Sequence, residues 1–538
     1  MMRRTPTVIY SRRGLAGRSP GTPAHEATDT PAAATAGPSR RSGLRRAVVA
    51  LVAAALVVMM APAAFAQSAA AAGTPGPGGP LGALLDRLGV GPSWHPPCGW
   101  MFLVNNQTLN VAAPDTNATY WVQPYYLAAG RQLVIDGTYP AARYFSFTTY
   151  GANGVPIGGT DLHDTQIVPQ PGSVNPFTTP NPPTDPPQLQ YSVRVVPSLP
   201  SSTTDNTLAG LPSGQSSGLG FLVYRLYIPT IPATGGVPLP QITTTAGPLP
   251  ACTTSQQDRF NNLLRPIAYA LVKANAPDPS QVTRGTDLFR LVALTAGLFP
   301  NPDNQYLAEA TNWSPGTVIV IRGKAFTFPD TQSGASVTEP TQLRYWSLCS
   351  NLLRLPYPVV QCASDAQTVV NAQGYYLYAI SMPQDKPANA TAANGVTWLP
   401  WATPRQSIGG VPPNTAYLRT MLPAPGFDQA VQAVPTPSPD ESAQQAAADA
   451  ATAMGEYYPV GAVCTVRQFE TQGPMSCFNL DFIRPARALP WSFDNWVAAR
   501  PSGNPVIVPG DERELPAGCQ REPRRLVSHL ILKSATRE

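Results

Sequence analysis

The sequence predicts a mainly β protein: two repeated jelly-roll-like β-sandwich domains with short linking and C-terminal helices. Three observations predict it. Arg143-Tyr144-Phe145-Ser146, followed by Asp164-Thr165-Gln166, is written again as Arg344-Tyr345-Trp346-Ser347, followed by Asp365-Ala366-Gln367, and 201 positions separate both parts of the pattern. An ordered recurrence of this kind is the signature of an internal repeat. The chain holds 63 prolines among 538 residues, and proline is poorly tolerated inside helices and central strands. With 43% hydrophobic residues it is nonetheless far from a disordered composition. Short runs rich in Val, Tyr, Phe and Thr, separated by Gly, Pro, Asn and Asp, complete the strand-and-loop pattern.

Charged residues make up only 12% of the chain, and the net charge of +5 sits largely in arginines at the two ends. The near-neutral middle carries no electrostatic footprint for nucleic acid.

Taken in order, residues 1–66 read as a signal peptide. Arg40, Arg41, Arg45 and Arg46 form a basic region, Ala47 to Met60 is an apolar run, and Ala64-Phe65-Ala66 fits the small-x-small cleavage pattern. Ser39 to Arg45 approaches a twin-arginine pattern, with Gly43 where Phe is usual, but a general secretory signal is the simpler reading. An uncleaved anchor over Ala47–Ala66 is disfavoured by Pro62 and the small residues. Cleavage near Ala66 leaves a secreted or cell-envelope chain with no membrane span. Residues 67–97 form a flexible Ala/Gly/Pro linker.

The first repeat is placed at 98–253. Its strand candidates are Trp100–Val104, Tyr120–Leu127, Gln132–Ile135, Arg143–Tyr150, Tyr191–Val196 and Phe221–Ile228. Both faces of Arg143–Tyr150 carry apolar or aromatic groups, which predicts a strand covered on both sides. A helical linker occupies 254–300: Phe260, Leu263, Leu264, Ile267 and Leu271 recur at helical spacing, and Leu288–Leu298 suggests a second helix. The second repeat is placed at 301–425. Tyr306, Gly316 and Gly323 follow Tyr120, Gly130 and Gly137 at a spacing of 186, so the second copy gains residues near 329–341 before the spacing becomes 201. Arg225…Pro229 is echoed by Arg419…Pro423. A helix and strand extension (426–504) and a disordered basic tail (505–538) close the chain.

Seven cysteines are present. In an oxidising compartment the local pairs are Cys349 with Cys362 and Cys464 with Cys477; Cys98 and Cys252 bracket the first repeat, and Cys519 is left over.

The order of these segments resembles a family of exported bacterial proteins built from paired jelly-roll domains of unknown function. In that family an aromatic-Ser strand like Tyr144–Tyr150 precedes an apolar strand ending in Arg-hydrophobic-Tyr-x-Pro, as in Arg225–Pro229. The chain as a whole also resembles uncharacterised secreted proteins of actinobacteria. Residues 98–230 carry the likeness best and 302–425 more weakly. The first copy lacks the Asn-Trp-Leu-Pro expected before its last strand, which Thr397–Pro400 approaches in the second. The resemblance implies a fold and an exported location, and it supplies no catalytic residue.

The motifs that bear chemistry are few. Gly214-Gln215-Ser216-Ser217-Gly218 matches the G-x-S-x-G nucleophile pattern, but it lies in a Ser/Gly loop before a strand rather than at a strand-to-helix turn. Asp161-Leu162-His163-Asp164 is a His–carboxylate cluster in which Asp161 and His163 share a face of an extended segment. It suits acid–base work, whereas two side chains are too few for a metal, and no metal site or cofactor is expected. Asp164 and Gln166 recur and read as structural. Arg143 and Arg344 read as fold-determining ion-pair residues, Arg143 with Asp164. Tyr125, Tyr126, Trp398 and Trp401 are the candidate ligand-facing aromatics. Asp115, Asn117, Asp303 and Asn304 read as turn formers rather than calcium ligands. No P-loop, dinucleotide-binding glycine pattern or HExxH occurs.

The expectation is therefore an exported envelope or secreted protein that binds a glycan, lipid or protein. The alternative is an envelope hydrolase with a cleft near Asp161, His163 and Arg143.

Overall fold

The computed structural model describes residues 94–478, apart from 153, 201–204, 277, 293–298, 332–334 and 338–339. The expected signal peptide, nearly all of the linker, Cys519 and the basic tail lie outside the described residues.

Among the described residues, ten strands build the first repeat: β1 (Phe102–Val104), β2 (Ala118–Ala128), β3 (Leu133–Thr138), β4 (Tyr144–Gly151), β5 (Pro156–His163), β6 (Gln190–Val196), β7 (Thr207–Ala209), β8 (Ser217–Tyr227), β9 (Gln241–Thr244) and β10 (Gly247–Pro248). Nine build the second: β11 (Gly285–Leu291), β12 (Asn304–Thr311), β13 (Thr317–Lys324), β14 (Leu343–Leu352), β15 (Val359–Ser364), β16 (Tyr375–Ser381), β17 (Thr397–Pro400), β18 (Asn414–Pro423) and β19 (Val460–Thr465). The helices are α1 (Thr254–Asn275), α2 (Ala443–Met454) and α3 (Val466–Gln472).

The two repeats share one topology. One sheet runs β1-β2-β8-β4-β5 and its counterpart β11-β12-β18-β14-β15; the second sheet runs β10-β9-β3-β6-β7 and its counterpart β19-β13-β16-β17. Each repeat even keeps one parallel pair, β6 with β7 and β16 with β17, among otherwise antiparallel neighbours. Tyr144 and Tyr345 lie on the equivalent strands β4 and β14.

Two stretches differ from the reading of the sequence. Leu288–Leu298 was expected to be helical, but its described part is β11, which pairs with β12. The second repeat thus begins near 285, because an open sheet edge outweighs a short helical period. The C-terminal extension is not an appendix either: β19 pairs with β13 and completes the second sandwich.

All eight residues of β4 are buried, and its two faces have different covers. Phe145 and Phe147 point into the sandwich, with Trp100, Tyr191 and Tyr224 in one core. Tyr144 points the other way, into a cluster with Tyr227 from its own repeat and Tyr345 and Met421 from the second. The repeats therefore face each other through their β4- and β14-containing sheets. α1 starts in a capping box, Thr253 with Gln256. Its Phe260 packs edge-on against Phe102 of β1. Three disulfides, Cys98–Cys252, Cys349–Cys362 and Cys464–Cys477, pin the described chain.

The repeated glycines Gly137 and Gly323 have a packing reason. A Cβ on Gly137 would fall 2.5 Å from the Tyr191 hydroxyl, and one on Gly323 would meet Tyr376 in the same way. Each tyrosine lies across a neighbouring strand on a bare glycine. Gly323→Ala is expected to cost about 1–3 kcal/mol, as over-packing does, read as a lower midpoint in chemical denaturation. An unchanged midpoint would mean that the tyrosine moves freely.

Candidate functional site

The site grows from two local features of the repeat. The first is the end of β5 and β15. Each strand runs into a single 3-10 turn, Asp164–Gln166 or Asp365–Gln367. The Gln side chain accepts from the backbone N–H of His163 or Ser364 at 3.0 Å. The Asp carboxylate accepts from the next strand, from Phe145 N–H at 3.1 Å and from Trp346 N–H at 3.3 Å. This is the structural role expected of Asp164 and Gln166.

The arginine partners are exchanged between repeats. Arg143 Nη1 donates to Asp365 Oδ2 at 2.7 Å, and Arg344 Nη2 donates to Asp164 Oδ2 at 2.8 Å. The expected Arg143–Asp164 pair is therefore corrected: each ion pair crosses the junction. Within one repeat the Asp already accepts from the backbone N–H two residues beyond the Arg, and the Arg reaches the twin's Asp instead. Both arginines also stack on rings, Arg143 at 4.5 Å from the Phe328 centroid and Arg344 at 5.3 Å from that of Phe177. Burial pushes Asp365 up to about 6, against the pull of Arg143. Burial likewise lowers Arg344, against Asp164.

The second feature is the turn into β2 and β12. Residues 115–118 and 301–304 fold alike: Ala118 N–H donates to Asp115 O, and Asn304 N–H to Asn301 O. In each, the side chain of the first residue accepts from the N–H two positions on, Asn117 to Asp115 and Asp303 to Asn301. Here the symmetry breaks. Asp115 is fully buried and accepts from Arg419, from Tyr345 Oη at 2.8 Å and from Ser347 Oγ at 2.8 Å. Its positional twin is Asn301, and the carboxylate has moved two places to Asp303. Among the described residues Arg225, the twin of Arg419, then has no carboxylate to meet. It donates to Thr148 Oγ1 at 2.9 Å, to Tyr150 and to Phe299 O at 3.1 Å.

Asp303 instead accepts from Tyr144 Oη, with His163 Nδ1 3.8 Å away. Asp161, His163 and Asp303 bring one ligand-type atom each to within 4.8 Å of one another. Burial raises the Asp303 carboxyl to about 6; His163 and Tyr144 pull it down, and the neighbouring Asp161 adds to the rise. A pocket of ≈ 250 Å³ adjoins, lined by Thr148, Asp161, Asn301, Asn304 and Gln305 together with Ile157, Gly158 and three prolines. Asn301 Nδ2 and Asn304 Oδ1 are buried and make no hydrogen bond to protein.

The structure thus joins Asp161 and His163 to a carboxylate but not to Arg143, which faces Asp365 and Asp330. The aromatic candidates are mostly structural. Tyr125 is buried and donates to Gly210 O at 2.8 Å. Trp401 is buried and donates to Pro412 O at 2.9 Å. Trp398 is half-buried, donates to Ser381 Oγ at 3.0 Å and lies 4.5 Å from Lys386 Nζ. Tyr126, also half-buried, borders with Tyr125 a cavity of ≈ 20 Å³, room for about one water. Ser216 is exposed on the loop into β8, and no helix follows it. Asp303, Asn301, Asn304 and Thr148 were not read as site residues. The signal was the Asn301–Asn304 turn, which stands 186 positions after 115–118 with its carboxylate on the third residue instead of the first.

The chain matches no protein-family profile and no curated protein. Among solved structures it is similar to an uncharacterised protein from Burkholderia cenocepacia, at 11% identity over 79% of this chain and 97% of that one, with a TM-score of 0.41. It is also similar to the VPA0106 protein from Vibrio parahaemolyticus, at 11% identity over 62% of this chain and 89% of that one, with a TM-score of 0.29.

Proposed function

We propose that the protein is an exported, non-enzymatic binding protein whose ligand is a glycan, held one sugar ring deep in the pocket at the junction of the repeats. The observation that carries this reading is that Asn301 and Asn304, which line the pocket, each keep one buried amide atom without a protein partner, the donor Nδ2 and the acceptor Oδ1. Leaving such groups unpaired costs about 1–3 kcal/mol each. A sugar hydroxyl both donates and accepts, so adjacent hydroxyls satisfy both atoms. Prolines and Ile157 supply an apolar wall for the face of a ring beside the polar Asn301, Asn304 and Gln305. The volume of ≈ 250 Å³ falls below the roughly 300–1,000 Å³ of pockets for drug-sized ligands, which suits one ring.

Export is supported by the leader pattern before Gln67 and by three disulfides, which persist in oxidising compartments. Among the described residues no helix is long and apolar enough to cross a membrane.

The test is calorimetric titration of the purified mature protein with envelope monosaccharides and short oligosaccharides. At least one sugar is expected to bind, and Asn304→Ala is expected to weaken it tenfold or more. Silence across the panel, or unchanged affinity in Asn304→Ala, would overturn the reading. The hydrolase alternative rests on His163 beside Asp303. It requires turnover of a bound glycan that His163→Ala abolishes.

A further inference from the structure

We infer that Asp161, His163 and Asp303 form a binding site for a first-row transition dication, which clips the two repeats together at one edge of their junction. The inference does not rest on the glycan reading, although Asp161 also lines that pocket.

The argument begins from the two related places in the duplicated fold. In the second repeat, β14 and β15 pair Ser347 with Ser364 and Cys349 with Cys362. In the first, β4 and β5 pair Ser146 with His163 and Thr148 with Asp161. His163 thus stands where the twin has Ser364, and Asp161 where it has Cys362. The twin place needs no ion. Its two cysteines are joined in a disulfide, and the carboxylate that crosses to it, Asp115, is neutralised by Arg419. At the first place every one of these devices is missing. There is no disulfide, and the arginine equivalent to Arg419 bonds elsewhere. Among the described residues neither Asp161 nor Asp303 pairs with an Arg or Lys; the one salt bridge of Asp303 is to His163.

Two carboxylates are therefore held together in a largely dry place, with an imidazole beside them. The side chains of His163 and Asp303 are only 15% and 8% exposed, and 3.8 Å separates Nδ1 from Oδ2. Nδ1 makes no hydrogen bond. Two donors on one tetrahedral zinc, at 2.0–2.1 Å each, lie ~3.3 Å apart, so small side-chain rotations bring the three groups onto one ion. A second observation points the same way: Asn304, which lines the pocket that Asp161 borders, is buried and its Oδ1 has no donor.

The donor set selects the ion. Calcium and magnesium prefer all-oxygen shells. One imidazole nitrogen with two carboxylates suits zinc, manganese or cobalt. Three protein donors leave a further position open, as in zinc sites that keep a water or ligand. The ion would join β5 of the first repeat to the turn into β12 of the second.

The test uses the purified full chain, stripped with chelator and kept free of reductant so that the disulfides stay closed. Zn²⁺, Mn²⁺ and Ca²⁺ are titrated separately by calorimetry and thermal melting, and Co²⁺ by absorption. One Zn²⁺ per chain is expected, with a raised melting temperature and a Co²⁺ spectrum of low-coordinate nitrogen–oxygen ligation. Asp303→Asn, nearly isosteric, is expected to weaken Zn²⁺ at least tenfold, as is His163→Ala. His95→Ala, at an exposed histidine, should bind normally and so exclude adventitious histidine binding. Circular dichroism of each variant separates lost binding from lost fold. The inference is overturned by no stoichiometric binding, by Zn²⁺ affinity unchanged in folded Asp303→Asn, or by Ca²⁺ binding in preference to Zn²⁺.

Discussion

Arg143→Met is expected to lower the unfolding free energy by about 3–5 kcal/mol at pH 8, the usual cost of stranding one member of a buried ion pair, and by clearly less at pH 5. The guanidinium is fully buried, and its partner Asp365 is buried with it. Without Arg143 the carboxylate keeps, among the described residues, two backbone donors, Trp346 N–H and Ala366 N–H. The pH dependence follows from the sign of the shift. Asp365 is already raised in the folded protein to about 6, above an unfolded value of ~3.9. A raised carboxyl contributes stability that is full below pH ~4 and is lost as pH rises through the folded pKa. Removing the arginine raises that pKa further, so the variant goes on losing stability above pH 6 where the natural protein levels off. Guanidinium denaturation at pH 5 and pH 8 reads both numbers. The double variant Arg143→Met/Asp365→Asn is expected to recover most of the pH 8 loss, because no charge is then stranded. Equal losses at the two pH values, or no recovery in the double variant, would show that Arg143 matters through its packing on Phe328 rather than through its charge.

The crossing of these ion pairs shows where sequence reading stops. The recurrence of Arg143 and Asp164 as Arg344 and Asp365 was legible, and so were the duplicated strands. What spacing cannot reveal is whether a repeated pair closes within its unit or between units, since both arrangements leave the same sequence. The clue that it closes between them was present in β4, whose two faces are both apolar. A strand of that kind needs a cover on each side, and one cover is the sister repeat. β11, and the place of β19 within the second sandwich, were missed because each completes a sheet from outside the repeated core, where the pairing partner rather than the local pattern decides. Asp161 and His163 stood out because carboxylate and imidazole alternate on one strand. Asp303 did not, because it joins them from another repeat, and its own turn chemistry with Asn301 was sufficient reason for it to be there.

The same turn supplies the second large effect. Asp115→Ala is expected to cost about 3–5 kcal/mol, as at other buried charge pairs broken from one side, because Arg419, Tyr345 and Ser347 all donate to that carboxylate inside the junction. Arg419 would be left with Ser347 Oγ at 3.1 Å and weaker contacts. Asp303→Ala in metal-free protein is expected to cost less, about 1–3 kcal/mol, the penalty for one unsatisfied buried hydroxyl, that of Tyr144. It strands no arginine and relieves the crowding of two carboxylates. The two residues sit in the same turn of the two repeats, so a purely local turn-forming role predicts equal losses. A gap of about 2 kcal/mol between the variants, measured by denaturation in chelator, is what the charge argument requires. Equal losses would mean that moving the carboxylate two positions along the turn had no electrostatic consequence. With that, the case for an unneutralised, ion-seeking cluster at Asp161, His163 and Asp303 would lose its physical basis.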